Sequence, residues 1–150
     1  MRLTRYTDYA LRVLLYLGAR PDAVCSIAEI AAAYGVSKNH LMKVVQDLGT
    51  AGYVVGVRGR LGGIRLARVP AEINVGSVVR HTEGHIELVE CGSCLIAPAC
   101  GLTGVLGEAL AAFLAVLDRH TLEDLLGQRD ALRALFGIAP PITGPSPSSR

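Results

Sequence analysis

Three cysteines fall within ten residues, Cys91-Gly-Ser-Cys94-Leu-Ile-Ala-Pro-Ala-Cys100. Thiolates at this spacing can converge on one soft metal centre, and three of them cannot form a complete set of disulfides. Three chemistries answer to the pattern. Tetrahedral zinc would use three Cys and one His or carboxylate. An iron–sulfur cluster would take its fourth ligand from elsewhere in the chain or assembly. A redox switch would pair Cys91 with Cys94 as a C-x-x-C. Gly92, Ser93 and Pro98 make the stretch a loop, which argues against three inert core cysteines. His85, six residues before Cys91, is a candidate ligand weighed against an ordinary surface histidine. Cys25 stands apart and reads as a small apolar core residue. No Ser-His-Asp pattern and no paired catalytic carboxylates occur, so the chain is not read as an enzyme.

The elements that must position this loop are mostly helical. Of 150 residues, 51% are hydrophobic, enough for a real core, and with no Trp that core is aliphatic. The net charge of +2 gives no global polyelectrolyte signal, so any nucleic-acid contact must come from a local basic patch. No apolar run approaches the ~18 residues needed to span a membrane, and Arg12 interrupts the only early apolar stretch. A cytoplasmic protein with reduced thiols is expected, which favours metal over disulfide for the cysteines.

Leu11, Leu14, Leu15 and Leu17 make an apolar stripe over residues 4–18, ended by Gly18 and Pro21. Ser26-Ile27-Ala28-Glu29 is a capping box opening a second helix that stops near Gly35. Ser37 caps a third helix over about 38–48. Tyr53–Val57 reads as a strand, Arg58–Gly63 as a glycine-rich turn and Ile64–Ala67 as the return strand. Asn74 caps a helix to about Glu83, and residues 84–100 are loop-like. Leu102, Val105, Leu106, Ala109, Phe113, Val116 and Leu117 then recur at helical spacing, and Thr121–Asp124 opens a short terminal helix.

Two short helices joined at a glycine and followed by a basic hairpin make a winged helix-turn-helix. The expected fold is mainly α with a small β-hairpin: a winged helix-turn-helix domain plus a long dimerisation helix, assembled as a homodimer. Residues 1–83 form the DNA-binding domain and 84–101 the cysteine loop. Residues 102–126 carry the dimerisation helix and the short terminal helix, and 127–150 are a mostly flexible tail. The first turn of the third helix, Ser37-Lys38-Asn39-His40, with Lys43 one turn on, is placed to meet base edges and phosphates. Arg58, Arg60 and Arg65 on the wing, together with Arg2, Arg5 and Arg12 on the first helix and Ser26, complete the expected DNA contacts. The bland alternative is a three-helix bundle with a solvated basic face. Gly59-x-x-Gly62-Gly63 lacks the Gly-Lys-Ser/Thr ending of a nucleotide-binding loop, and hairpin geometry explains it. The apolar long helix suits pairing with its twin, and a dimer would read a palindromic site.

Several stretches resemble one bacterial family. Met1-Arg2-Leu3-Thr4-x-x-Thr7-Asp8-Tyr9-Ala10-Leu11-Arg12, Ile30-Ala31-x-x-Tyr34-Gly35-Val36-Ser37 and Val57-Arg58-Gly59-Arg60-x-Gly62-Gly63-Ile64-Arg65-Leu66 are similar to the Rrf-type iron–sulfur transcription regulators. The resemblance covers about residues 1–126. Val36–Val45, Ile73–Glu83 and Pro98-Ala99-Cys100-x-Leu102 look most like the family's nitric-oxide-sensing repressors. That resemblance implies an iron–sulfur cluster, 4Fe–4S ahead of 2Fe–2S, held by Cys91, Cys94 and Cys100. Asp8 would supply the fourth ligand from the partner subunit. It also implies a repressor of double-stranded promoter DNA that is released when nitric oxide damages the cluster. The alternatives are a sensor of iron or iron–sulfur supply and a zinc-stabilised interaction module. The two-residue gap between Cys91 and Cys94 is shorter than the family's usual gap, whereas the five-residue gap to Cys100 matches it.

Overall fold

The computed structural model describes residues 2–139. Helix α1, Arg5–Gly18, starts where the Thr4 hydroxyl accepts from the Thr7 N–H at 3.2 Å. Its Ala10, Val13, Leu14 and Leu17 are buried and lie on one face. Helix α2, Ile27–Tyr34, opens on the expected capping box: Ser26 accepts from the Glu29 N–H, and the Glu29 carboxylate accepts from the Ser26 N–H. Gly35 ends it with a φ of 63°, a left-handed conformation that glycine adopts without strain. Helix α3, Lys38–Thr50, packs Leu41, Val44, Val45 and Leu48 into the core made with α1.

Strands β1, Val54–Val57, and β2, Gly63–Leu66, pair antiparallel with Val54 opposite Leu66 and Val57 opposite Gly63. The ribbon is pinned to the core by Cys25. Its N–H donates to the Ile64 carbonyl at 2.9 Å, and the Ile64 N–H donates back at 2.8 Å. A side chain on Gly63 would run into the Cys25 carbonyl, so only glycine admits this approach. Cys25 is buried as expected, and burial pushes its thiol pKa up to about 11.

Helix α4, Val75–Glu83, begins at Asn74, whose side chain accepts from the Ser77 N–H at 2.9 Å. Residues 84–101 form turns and one short 3-10 segment. Helix α5, Leu102–Asp118, has no buried residue, and Leu102, Val105 and Val116 are exposed apolar side chains. Its C-terminal end is fastened to α4. Arg80 grips Asp118 with two bonds of 2.5 and 2.6 Å, and the Asn74 amide donates to the Asp118 carbonyl at 2.7 Å. Helix α6, Leu122–Leu125, returns Leu122 and Leu126 to the core, where Leu126 covers Gly18.

The expected flexible tail over 127–150 is corrected at its start. Helix α7, Arg129–Leu135, follows α6, and Leu132, Phe136 and Ile138 pack against the core. The Phe136 ring centroid lies 4.9 Å from that of Tyr16 and 5.3 Å from that of Tyr34, so the segment partly buries an aromatic ring that unfolding would expose. Residues 140–150, the Pro- and Ser-containing part of the expected tail, lie outside the described residues. Among the described residues no helix is long and apolar enough to cross a membrane.

Candidate nucleic-acid interface and cysteine loop

The turn between α2 and α3 sets the angle of the recognition helix. The Val36 N–H donates to the Ala31 carbonyl at 3.0 Å, and the Tyr34 hydroxyl donates to the Arg12 carbonyl at 2.9 Å. Burial pushes the Tyr34 phenol up to about 12. Ser37 stands at the N-cap position, but its side chain makes no capping bond, leaving its hydroxyl uncommitted. Ser37, Lys38, Asn39, His40 and Lys43 are all exposed. Five donor-bearing side chains therefore line the start of α3 on the face away from Leu41 and Val44.

The wing presents its cations in the same way. Arg58, Arg60 and Arg65 are exposed, and the Gly62 N–H donates to the Gly59 carbonyl at 3.0 Å to close the tip. Gly59 has a φ of 115°, which favours glycine, and a side chain on Gly62 would overlap the Val57 carbonyl. The glycines thus let the chain reverse tightly with arginine on both sides. Such cations, placed near a groove-sized helix, suit the phosphates of duplex DNA.

Two expected DNA contacts are engaged within the chain. The Ser26 hydroxyl is committed to the capping box. Arg12 donates through Nε to Asp8 Oδ1 at 2.9 Å, and its guanidinium lies 5.5 Å from the Tyr34 ring centroid. The sequence reading expected arginines of α1 near DNA but not the tyrosines beside them. Arg5, Tyr6, Tyr9, His40, Lys43 and Val44 line a cleft of about 250 Å³. Tyr6 and Tyr9 also pack partly against the core, so in sequence they read as ordinary packing residues of α1.

The cysteine loop links α4 to α5 through successive tight turns. The N–H of Cys94 donates to the Cys91 carbonyl at 3.2 Å, that of Ala97 to Cys94 at 3.2 Å, and that of Cys100 to Ala97 at 3.3 Å. All three thiols are free, with Cys94 exposed and Cys91 and Cys100 half-buried. Cys91 Sγ lies 3.6 Å from the Thr103 hydroxyl at the start of α5. It also lines a groove of about 210 Å³ with Leu106, Gly107 and Leu110. Among the described residues no three of His, Cys, Asp and Glu gather to hold a metal ion, so Asp8 and the three cysteines form no such group within one chain. The donor set itself fits an iron–sulfur centre: three thiols free of disulfides on a segment free of long regular structure. His85 pairs with Glu87 at 2.8 Å and is exposed.

The family described as Rrf2, iron-dependent transcriptional regulator, matches residues 3–128. The HTH-type transcriptional regulator NsrR of Bacillus subtilis is 52% identical over 142 residues, 91% of this chain and 97% of its own length. The regulator of the same name from Geobacillus kaustophilus is 53% identical over 142 residues, again 91% and 97%. Among solved structures, T. potens IscR superposes with a TM-score of 0.72 at 28% identity, covering 89% of this chain and 90% of its own. CymR, the global cysteine regulator of B. subtilis, does so with a TM-score of 0.67 at 29% identity, covering 83% and 95%.

Proposed function

The chain belongs to the Rrf2 family of transcriptional regulators, and from that premise we propose that it is a cytoplasmic iron–sulfur repressor released from DNA by nitric oxide. It binds palindromic promoter DNA as a homodimer, with Ser37–His40, Lys43 and the wing arginines at the interface. The observation that carries the reading is the placement of three free thiols between two functional elements. They lie between α4, which packs on the DNA-binding core, and α5, whose apolar face is uncovered in one chain. When bound, a cluster, 4Fe–4S ahead of 2Fe–2S, supplies iron that reacts with nitric oxide. Cys91, Cys94 and Cys100 hold it, and Asp8 of the second chain completes the set. Asp8 is suited to exchange partners because its pair with Arg12 is half exposed, and exposed pairs are weak. A coupling of about 3 kcal/mol between loop state and DNA docking changes affinity by over a hundredfold.

The test is anaerobic purification, an absorption spectrum, and titration with nitric oxide while promoter binding is followed. Brown protein whose DNA complex dissociates at stoichiometric nitric oxide supports the proposal, and colourless anaerobic protein sinks it. A second reading, a sensor of iron or cluster supply, is favoured by the likeness to T. potens IscR. It predicts release on iron depletion with weak response to nitric oxide. A zinc-stabilised interaction module would instead give one zinc, no iron and no promoter retardation.

A further inference from the structure

The last turn of α4 makes links to other elements from three consecutive residues. His81 Nε2 lies 3.0 Å from Asp47 Oδ1 on α3. The Thr82 hydroxyl meets the Thr7 hydroxyl of α1 at 2.8 Å. The Glu83 carboxylate accepts from the Thr4 N–H at 2.7 Å and from the Thr4 hydroxyl at 2.9 Å. The next residue, Gly84, has a φ of 65°, closes the helix through its N–H on the Arg80 carbonyl, and opens the segment that carries the cysteines.

These links fix direction more than they add stability. The His81 and Asp47 side chains are 36% and 34% exposed, and pairs that open to water hold a protein together only weakly. Asp47 lies one turn beyond Lys43 on α3, and the Tyr6 hydroxyl of α1 reaches the Lys43 carbonyl at 3.5 Å. The His81 ring meets the Tyr53 ring edge-on at 6.3 Å, where the chain enters β1. His81 therefore stands where α3, α4 and the root of the wing meet.

We infer that His81 is a positioning residue for the recognition helix, and that residues 81–83 carry changes in the cysteine loop to it. The trigger rests on the cluster-sensing reading above; the hold on α3 does not. A terminal helical turn opens more readily than a helix centre. Residues 81–83 share one turn, so a displaced loop loosens all three together. Asp47 then loses its imidazole, and the first turn of α1 loses the acceptor for its Thr4 N–H. The two states of this turn, closed and opened, are the bistable element that such coupling requires.

The test compares wild type, His81→Ala and His81→Gln by fluorescence anisotropy on one promoter fragment, with cluster-loaded and cluster-free protein. Iron and sulfide are measured on every sample. Wild type is expected to lose about a hundredfold in affinity with its cluster. His81→Ala should keep its iron and sulfide content, while the ratio falls below about tenfold. His81→Gln, whose amide can donate to Asp47, should restore the ratio. In cluster-loaded protein the amides around Asp47 should exchange hydrogen faster in His81→Ala than in wild type. An unchanged ratio with unchanged exchange overturns the inference, as does His81→Gln behaving like the alanine variant. A wild type indifferent to its cluster overturns the sensing reading and the coupling with it. The exchange measurement then decides the hold on α3 alone.

Discussion

Replacing Gly76 by alanine presses on the place where α5 is fastened to α4. Gly76 is the second residue of α4 and is buried. A methyl group there would overlap Asp118 Oδ1, sit 2.9 Å from Asp118 Cγ, and lie 3.0 Å from the Asp118 backbone nitrogen. The carboxylate cannot swing away freely, because Arg80 holds both its oxygens. The backbone nitrogen cannot move without the helix. The two elements must therefore part by several tenths of an ångström. Overpacking of this kind costs about 1–3 kcal/mol. Alanine returns up to about 1 kcal/mol in helix propensity, less at a first turn. A net loss of about 1–2 kcal/mol lowers Tm by roughly 2–8 °C for a chain of this size. Thermal unfolding by circular dichroism measures it. In an Asp118→Ala background the carboxylate is gone and only the backbone contact remains, so the same substitution should cost less. Gly76→Ala melting at or above wild type, or costing equally in both backgrounds, would refute the reasoning.

Single substitutions Lys43→Ala, Arg58→Ala and Arg60→Ala should each reduce the slope of log affinity against log salt by about 1. A salt titration of DNA binding checks this, and an unchanged slope removes that residue from the phosphate contacts. Phe136→Ala should destabilise the fold by about 1–3 kcal/mol, below the range for a fully buried ring. It should also move Tyr34 down from about 12 by admitting water, followed by phenolate absorbance. In reduced, cluster-free protein three thiols should react quickly with a disulfide reagent and Cys25 only on unfolding. Burial raises the Cys25 pKa from the ordinary 9.0 to about 11, so the unfolded chain ionises first. Stability from this group is complete below pH 9 and declines as pH rises toward about 11. Cys25→Ala should remove that part of the alkaline slope in unfolding free energy.

The features legible in the sequence were those written by neighbouring residues. Ser26 with Glu29, Asn74 with Ser77 and Thr121 with Asp124 each make their bonds within three positions, so the helix starts were readable. The wing was readable because its turn needs glycine at Gly59 and Gly62. Helix α7 was not, because its seven residues are too few for a periodic stripe, Phe136 stands just past its end, and the rings that receive Phe136 lie far upstream. The His81–Asp47 and Arg80–Asp118 pairs join ordinary surface residues from separate helices, and nothing local marks either. Ser26 illustrates the converse. A hydroxyl beside a basic face looks available for DNA until its capping partner is seen to occupy it. The thiols were recognisable from spacing, and the role proposed for Asp8 came only from the family resemblance.

The stitch between Cys25 and Ile64 bears on how quickly the protein finds DNA. Since β2 is bonded to the connection between α1 and α2, the wing and α3 would, in the proposed mode of binding, approach the duplex as one rigid body. Little conformational freedom remains to be lost when the wing docks. Arrival is then governed by charge attraction and orientation, and its rate falls steeply as salt rises. A ribbon hanging free at its root would have to be frozen into place at each encounter, and every search along the chromosome would slow accordingly.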